Sequence, residues 1–185
     1  MIKYVAFLRA INVGGRNLIK MEDLRGVFTR AGFKNVKTYI NSGNVIFDAA
    51  ETNTDSLARK IEKVLHKAFG HDVSVALQTM TELEDILRRN PFKKIKPDAD
   101  VVIFVAFLSA EPRTKPRLPI ISATENLEVL AIKDRAVFIL CHPKKNGSFG
   151  FPNNFLEKEL GVSATTRNWT TVRKTIDLAQ KVETS

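Results

Sequence analysis

A single cysteine, Cys141, in a chain of 185 residues rules out an intramolecular disulfide. Its place in the apolar run Val137 to Cys141 points to a small buried hydrophobe rather than a reactive thiol. Cys141 and His142 are adjacent, so on a strand they face opposite ways and cannot work as nucleophile and base. Three histidines are present, and none has a metal-like spacing with Cys141 or a carboxylate beyond the short grouping His66, His71 and Asp72. No metal and no cofactor are therefore expected, and no paired carboxylates stand out for acid-base work. Long apolar runs are missing as well: the longest, Val101 to Leu108, has eight residues, far short of the ~20 that cross a bilayer. Arg9 interrupts the apolar stretch after Lys3 too soon for a signal peptide, so a cytoplasmic protein with no membrane partner is expected. There is neither a phosphate-binding loop ending in Lys-Ser/Thr nor a three-glycine dinucleotide fingerprint. Nucleoside triphosphates and NAD are not indicated.

What the chain has in excess is positive charge. Twenty-nine Lys and Arg against 20 Asp and Glu give a formal +9, with a pI near 9.8. Such a balance brings polyanions into consideration. The excess is spread over both halves, and the one dense run is Arg88, Arg89, Lys93, Lys94 and Lys96, which reads more simply as a solvated linker than as a polyanion stripe.

Hydrophobic period organises the first half as strand Lys3 to Arg9, then a helix with Met21, Leu24, Val27, Phe28 and Ala31 on one face. Strands Val36 to Ile40 and Val45 to Phe47 flank the hairpin turn Asn41-Ser42-Gly43-Asn44. A second helix turns Leu57, Ile61, Val64, Leu65 and Ala68 inward, and a strand follows at Val73 to Leu77. A short helix then opens at Thr81, with Glu84 completing a capping box, and closes before Pro91. The second half repeats the plan with strands Val101 to Leu108, Leu127 to Ile132 and Ala136 to Cys141. A helix Phe155 to Leu160, a strand Val162 to Thr165 and a last helix around Trp169, Val172, Ile176 and Ala179 follow. Val5 to Ala10 echoes Val105 to Ala110, and the Gly70 to Thr79 stretch echoes Gly161 to Thr165 or Thr166. The expected fold is α+β, two ferredoxin-like (βαββαβ) halves related by internal duplication, at residues 1–90 and 101–185 with a basic linker at 91–100.

Two polar segments are candidate sites. Arg9, Asn12, Gly14, Gly15, Arg16 and Asn17 lie between the first strand and first helix, where paired glycines and helix-start amides suit a phosphate or carboxylate. Thr165-Thr166-Arg167-Asn168-Trp169 directly precedes the last helix. Thr166 or Asn168 can cap it, Trp169 can enter the core, and Arg167 can meet a carboxylate or an anion. The two segments are expected to share one surface. An open RNA-recognition sheet is not expected, since the candidate reader strand Ser42 to Phe47 has one aromatic and the central strands are apolar on both faces.

The opening Tyr4 to Asn17, the Thr38 to Val45 turn, Asn90-Pro91-Phe92, Leu156-Glu157-Lys158 and Thr165 to Val172 resemble the signature blocks of one bacterial family, the domain of unknown function numbered 1697. The resemblance implies a duplicated ferredoxin-like fold and brings no activity, cofactor or substrate with it. Asn146 to Asn153 departs from the Ser-Lys or Ser-Arg pattern expected at that place. The leading expectation is a module that binds an anionic ligand, either nucleic acid or a phosphorylated small molecule; whether it is also an enzyme is left open, with the lack of a His, Cys or carboxylate in either polar segment leaning against catalysis. The alternatives are an enzyme acting on a small polar substrate and a protein-protein interaction or structural module. The sequence leaves the oligomeric state open.

Overall fold

The computed structural model describes residues 1–15, 17–93, 95 and 100–181. It is a mixed α/β protein with two antiparallel sheets and, among the described residues, five helices. The chain divides into two compact units, one of residues 1–86 with 173–185 and the other of residues 87–172.

In the first unit, β1 (Ile2–Leu8), β2 (Lys34–Tyr39), β3 (Asn44–Ala49) and β4 (Val75–Thr79) lie in the order β2-β3-β1-β4. Helices α1 (Met21–Arg30) and α2 (Thr54–Phe69) stand between β1 and β2 and between β3 and β4 in the chain. The even residues of β1, Tyr4, Ala6 and Leu8, share a core with Leu24, Val27 and Phe28 of α1 and with Leu57, Ile61 and Leu65 of α2. Phe47 is its centre: Phe33 lies 4.7 Å, Phe28 5.3 Å and Tyr4 5.8 Å from it between ring centroids. Burial also pushes the Tyr4 phenol above its ordinary pKa, with Glu51 and Glu82 adding to the effect. The odd residues Val5 and Phe7 are buried too, so β1 has no exposed face and offers no stacking platform.

Local chemistry sets the element ends. Asn53 Oδ1 accepts the Ser56 amide to cap α2, and Gly70 closes the helix in the left-handed region at φ 78°. Ala68, expected to face inward, is exposed, and Phe69 packs on the core instead. Helix α3 (Met80–Arg89) starts directly from β4, so its capping box is not the expected Thr81 and Glu84. The box is Thr79 and Glu82: the Glu82 amide donates to Thr79 Oγ1 at 3.2 Å, while Glu82 Oε2 accepts from the Thr79 amide at 2.7 Å and its hydroxyl at 2.8 Å. Of the basic run after α3, Lys94 and Lys96 lie outside the described residues.

The second unit holds β5 (Val102–Leu108), β6 (Ile120–Ser122), β7 (Leu127–Lys133), β8 (Ala136–Cys141) and a strand β9 (Ala164–Asn168), ordered β6-β7-β8-β5-β9. Helix α4 (Pro152–Leu160) brings Leu156 and Leu160 onto Ala106, Leu108, Val137, Ile139 and Cys141. Between β5 and β7 there is no helix; the stretch with Pro112, Pro116 and Pro119 leads instead into β6, which sequence period did not reveal. The strand expected at Val162 to Thr165 is displaced to β9, because its pairing on β5 runs from Leu108↔Ala164 to Phe104↔Asn168. The last helix, α5 (Trp169–Gln180), begins in this unit, and its residues from Arg173 on belong to the first. There, Lys3 Nζ donates to the Ala179 carbonyl at 2.7 Å and Gln180 Nε2 to Glu84 at 3.0 Å. The last turn of α5 has no basic residue of its own, and Lys3 supplies the cation.

Candidate functional site

The opening signature loop is built on Asn12. Its side-chain oxygen accepts the Ile19 amide at 2.7 Å, and its Nδ2 donates to the carbonyls of Ile19 at 2.9 Å and Asn41 at 2.8 Å. Its own amide donates to Asn17 O at 3.1 Å, closing a loop in which Ala10, Asn12, Gly14, Gly15 and Asn17 all have positive φ. Asn12 thus ties the loop to the β2–β3 turn. That turn is anchored from the other side by Gly43, whose carbonyl accepts the Leu8 amide at 2.8 Å. A Cβ on Gly43 would lie 2.6 Å from Ile11 Cδ1 and 2.8 Å from Leu8 Cβ. Gly14 and Gly15 are exposed with open space around them, and Arg16 lies outside the described residues. Contrary to the expectation of helix-start amides, the loop does not run into a helix start: Leu18, Ile19 and Lys20 intervene, and Lys20 is the residue flanking α1. A cleft there is lined by Asn12, Lys20, Asp23, Asn41 and Phe69, and Asp23 gives it a carboxylate unsuited to an anion.

Arg9 belongs to a different feature. Its amide donates to Ser74 O at 2.9 Å, and Ser74 lines a groove of about 580 Å³ between α2 and the start of β4. The other wall is the exposed face of α2 with Arg59, Lys63 and His66 at helical spacing. His66 Nδ1 lies 2.8 Å from Asp72 Oδ1, which orients the ring and leaves Nε2 as its other polar atom. Glu62, between Arg59 and Lys63, has one oxygen engaged by the Val75 amide at 2.9 Å. Sequence reasoning passed over Arg59 and Lys63 because charged residues at this spacing read as the wet side of an amphipathic helix. It took His66 and Asp72 only as a weak metal grouping. Among the described residues no cluster of three or more His, Cys, Asp and Glu is suited to a metal.

The closing block is a strand, not a loop. Arg167 sits on β9 opposite Val105, is 9% exposed, and donates from Nη1 to Thr166 O at 3.0 Å. Burial lowers its pKa to about 10. Thr166 does not cap α5; its hydroxyl donates to Asn153 Oδ1 at 2.5 Å. Asn168 does cap it, accepting the Thr170 amide at 2.8 Å. Trp169 is half-buried, 5.4 Å from Phe92 in edge-to-face contact. Arg9, Asn12, Gly14, Gly15 and Asn17 lie in the first unit and Thr166, Arg167 and Asn168 in the second.

A family model described as "Protein of unknown function (DUF1697)" matches residues 1–138, which include the opening loop, the β2–β3 turn and the α2 groove. The chain belongs to the DUF1697 family. The closing block, at Thr165 to Trp169, lies beyond the matched range. Among solved structures, the chain is similar to the conserved bacterial protein SP0830 from Streptococcus pneumoniae, with a TM-score of 0.71 and 23% identity over 98% of this chain and 99% of that one. At that identity the likeness speaks for the fold alone, and DUF1697 membership assigns no chemistry. The comparison with curated proteins finds no match.

Proposed function

We propose that this DUF1697 protein is a binding module for a phosphate-bearing ligand, held in the groove of the first unit by Arg59, Lys63 and His66. The observation that carries the reading is the groove itself, where Arg59, Lys63 and an oriented imidazole line one concave surface next to Ser74, and the two carboxylates that share it, Glu62 and Asp72, are engaged by the Val75 amide and by His66. The formal charge of +9 supports it by drawing anions toward the whole surface. Burial of Arg167 moves the weight of the site away from the closing block and onto α2.

The phosphate can come from a nucleic acid backbone or from a small phosphorylated molecule. Titrations with mixed DNA and RNA oligomers and with phosphorylated metabolites, repeated across salt, separate the sources. Nucleic acid binding falls steeply with salt, whereas a small ligand in a concave site depends on it less. Arg59→Gln with Lys63→Gln is expected to weaken either by about tenfold or more. Undetectable binding of every probe at low salt would end this reading. The His66–Asp72 pair favours a second one, catalysis on a small polar substrate, which requires turnover lost in His66→Ala.

The same proposal includes a fold history: two ferredoxin-like halves, residues 1–90 and 101–185 in chain order, derived from one duplicated unit. Its support is a set of paired bonds. Leu8 N to Gly43 O and Arg9 N to Ser74 O have counterparts in Leu108 N to Arg135 O and Ser109 N to Ser163 O. Glu62 and Glu157 each accept the first amide of the following strand, from Val75 and Ala164.

A further inference from the structure

A separate observation in the second unit stands apart from the α2 groove. Among the described residues, the large aromatic side chains that reach solvent as exposed groups are Phe149 and Phe151, at 38% and 64%. Both lie between β8 and α4, beyond the residues that the family model matches. The segment is a built hairpin. Gly147, at φ 77°, donates its amide to Lys144 O at 2.8 Å, Lys144 donates to Ser148 O at 2.7 Å, and Pro143 pairs with Phe149 in an antiparallel bridge. The return arm is clamped at Gly150, where a Cβ would fall 2.1 Å from the Glu125 carbonyl oxygen. The Glu125 carboxylate takes Lys144 Nζ at 3.0 Å and also the Phe151 amide.

Phe149 is held in the bridge to Pro143, and Phe151, extended at φ -108° and ψ 112°, follows two residues later at the start of α4. Two exposed rings close together on a bonded hairpin form a candidate contact surface. The surroundings decide its chemistry: Lys145 is exposed in the same hairpin and supplies a cation on a molecule of charge +9, while Asn146 Oδ1 accepts the Ser148 hydroxyl at 2.7 Å and the Ser148 amide at 3.1 Å. Two rings give too little apolar area to seat a second copy of the chain, and the polar flank does not match an apolar peptide. Flat apolar faces beside a cation match unpaired bases and their phosphates. We propose that the hairpin of residues 143–151 is a stacking platform for single-stranded nucleic acid, with Phe149 and Phe151 taking unpaired bases and Lys145 a backbone phosphate.

The test is fluorescence anisotropy of the full chain with labelled oligo-dT and oligo-rU of about twelve nucleotides, and with a duplex of the same length, at low salt. Single strands are expected to bind tighter than duplex. Phe149→Ala with Phe151→Ala is expected to weaken single-strand binding by about tenfold or more. Phe149→Leu with Phe151→Leu, which keeps apolar area and removes the rings, is expected to weaken it as well, and Lys145→Gln to lower the salt slope by about one. Arg59→Gln with Lys63→Gln separates this surface from the groove, because the ring-dependent part of binding persists in that variant. The proposal is overturned if a folded protein, checked by circular dichroism, binds no single strand, binds duplex equally, or is indifferent to both ring-removing pairs. It is equally overturned if those pairs abolish self-association or vesicle binding and leave oligonucleotide affinity unchanged.

Discussion

Gly43 and Gly14 both sit at positive φ, yet only one of them is held by its neighbours. At Gly43 a methyl group meets Ile11 and Leu8 inside normal contact distance, while at Gly14 it meets nothing within 4 Å. Gly43→Ala is expected to cost about 3 kcal/mol, from overpacking added to backbone strain, and Gly14→Ala about 1 kcal/mol, from strain alone. Chemical denaturation of the two variants checks the difference; equal losses would mean that the β2–β3 turn is free to shift. Cys141 invites a second measurement. Fully buried on β8, it has its thiol pushed from an ordinary 9.0 up to about 12 by burial, with Glu125 adding to the effect. A raised acid pKa contributes stability that is whole below about 9 and is lost as pH climbs toward 12, because the unfolded thiol ionises first. Native protein at pH 8 is therefore expected to resist alkylation until it unfolds, and Cys141→Ala to flatten the fall in stability above pH 9. Rapid labelling of folded protein at pH 8 would contradict the burial.

At the scale of elements, the start of α3 shows how the sequence can offer two answers. Thr79 with Glu82 and Thr81 with Glu84 are both capping boxes by spacing, and the pairing of β4 on β1 through Tyr4↔Thr79 selects the first. Thr79→Ala is expected to cost about 1 kcal/mol and Thr81→Ala only a few tenths, measured by thermal or chemical unfolding. The reverse order would restore the box read from sequence. The helices α1 and α2 and the Asn-Ser-Gly-Asn hairpin were legible because period and positive-φ residues act over a few positions. Strand β6 was not, and β9 was legible only at its first two residues, Ala164 and Thr165. Three residues of β6 carry too little pattern to be read, and Thr166 to Asn168 become a strand because β5 offers an edge for them to pair with.

For the whole molecule, a charge of +9 means self-repulsion at low ionic strength. Screening should relieve it, so Tm is expected to rise by a few degrees between about 20 and about 200 mM NaCl at neutral pH, followed by calorimetry. A fall over that range would show that the ion pairs, such as Lys144 with Glu125, outweigh the repulsion. Among the described residues no helix is long and apolar enough to cross a membrane, in line with the short apolar runs.

The sequence by itself determined the family, the mixed α/β class, the faces of the long helices, the burial of Cys141 and the opening loop as a polar turn. Each of these depends on neighbours within a few residues, or on a pattern that repeats. Tertiary structure decided what lies side by side. It engaged Asn12 with Ile19 and Asn41, buried Arg167 on β9, and set Arg59, Lys63 and His66 of α2 across from Ser74 of the β4 approach. It also left Phe149 and Phe151 in water while ten other phenylalanines of the chain escaped that exposure. Those outcomes depend on strand pairing between residues far apart in the chain, as in Val105↔Arg167, and a local pattern carries no record of which distant partner a polar side chain will meet.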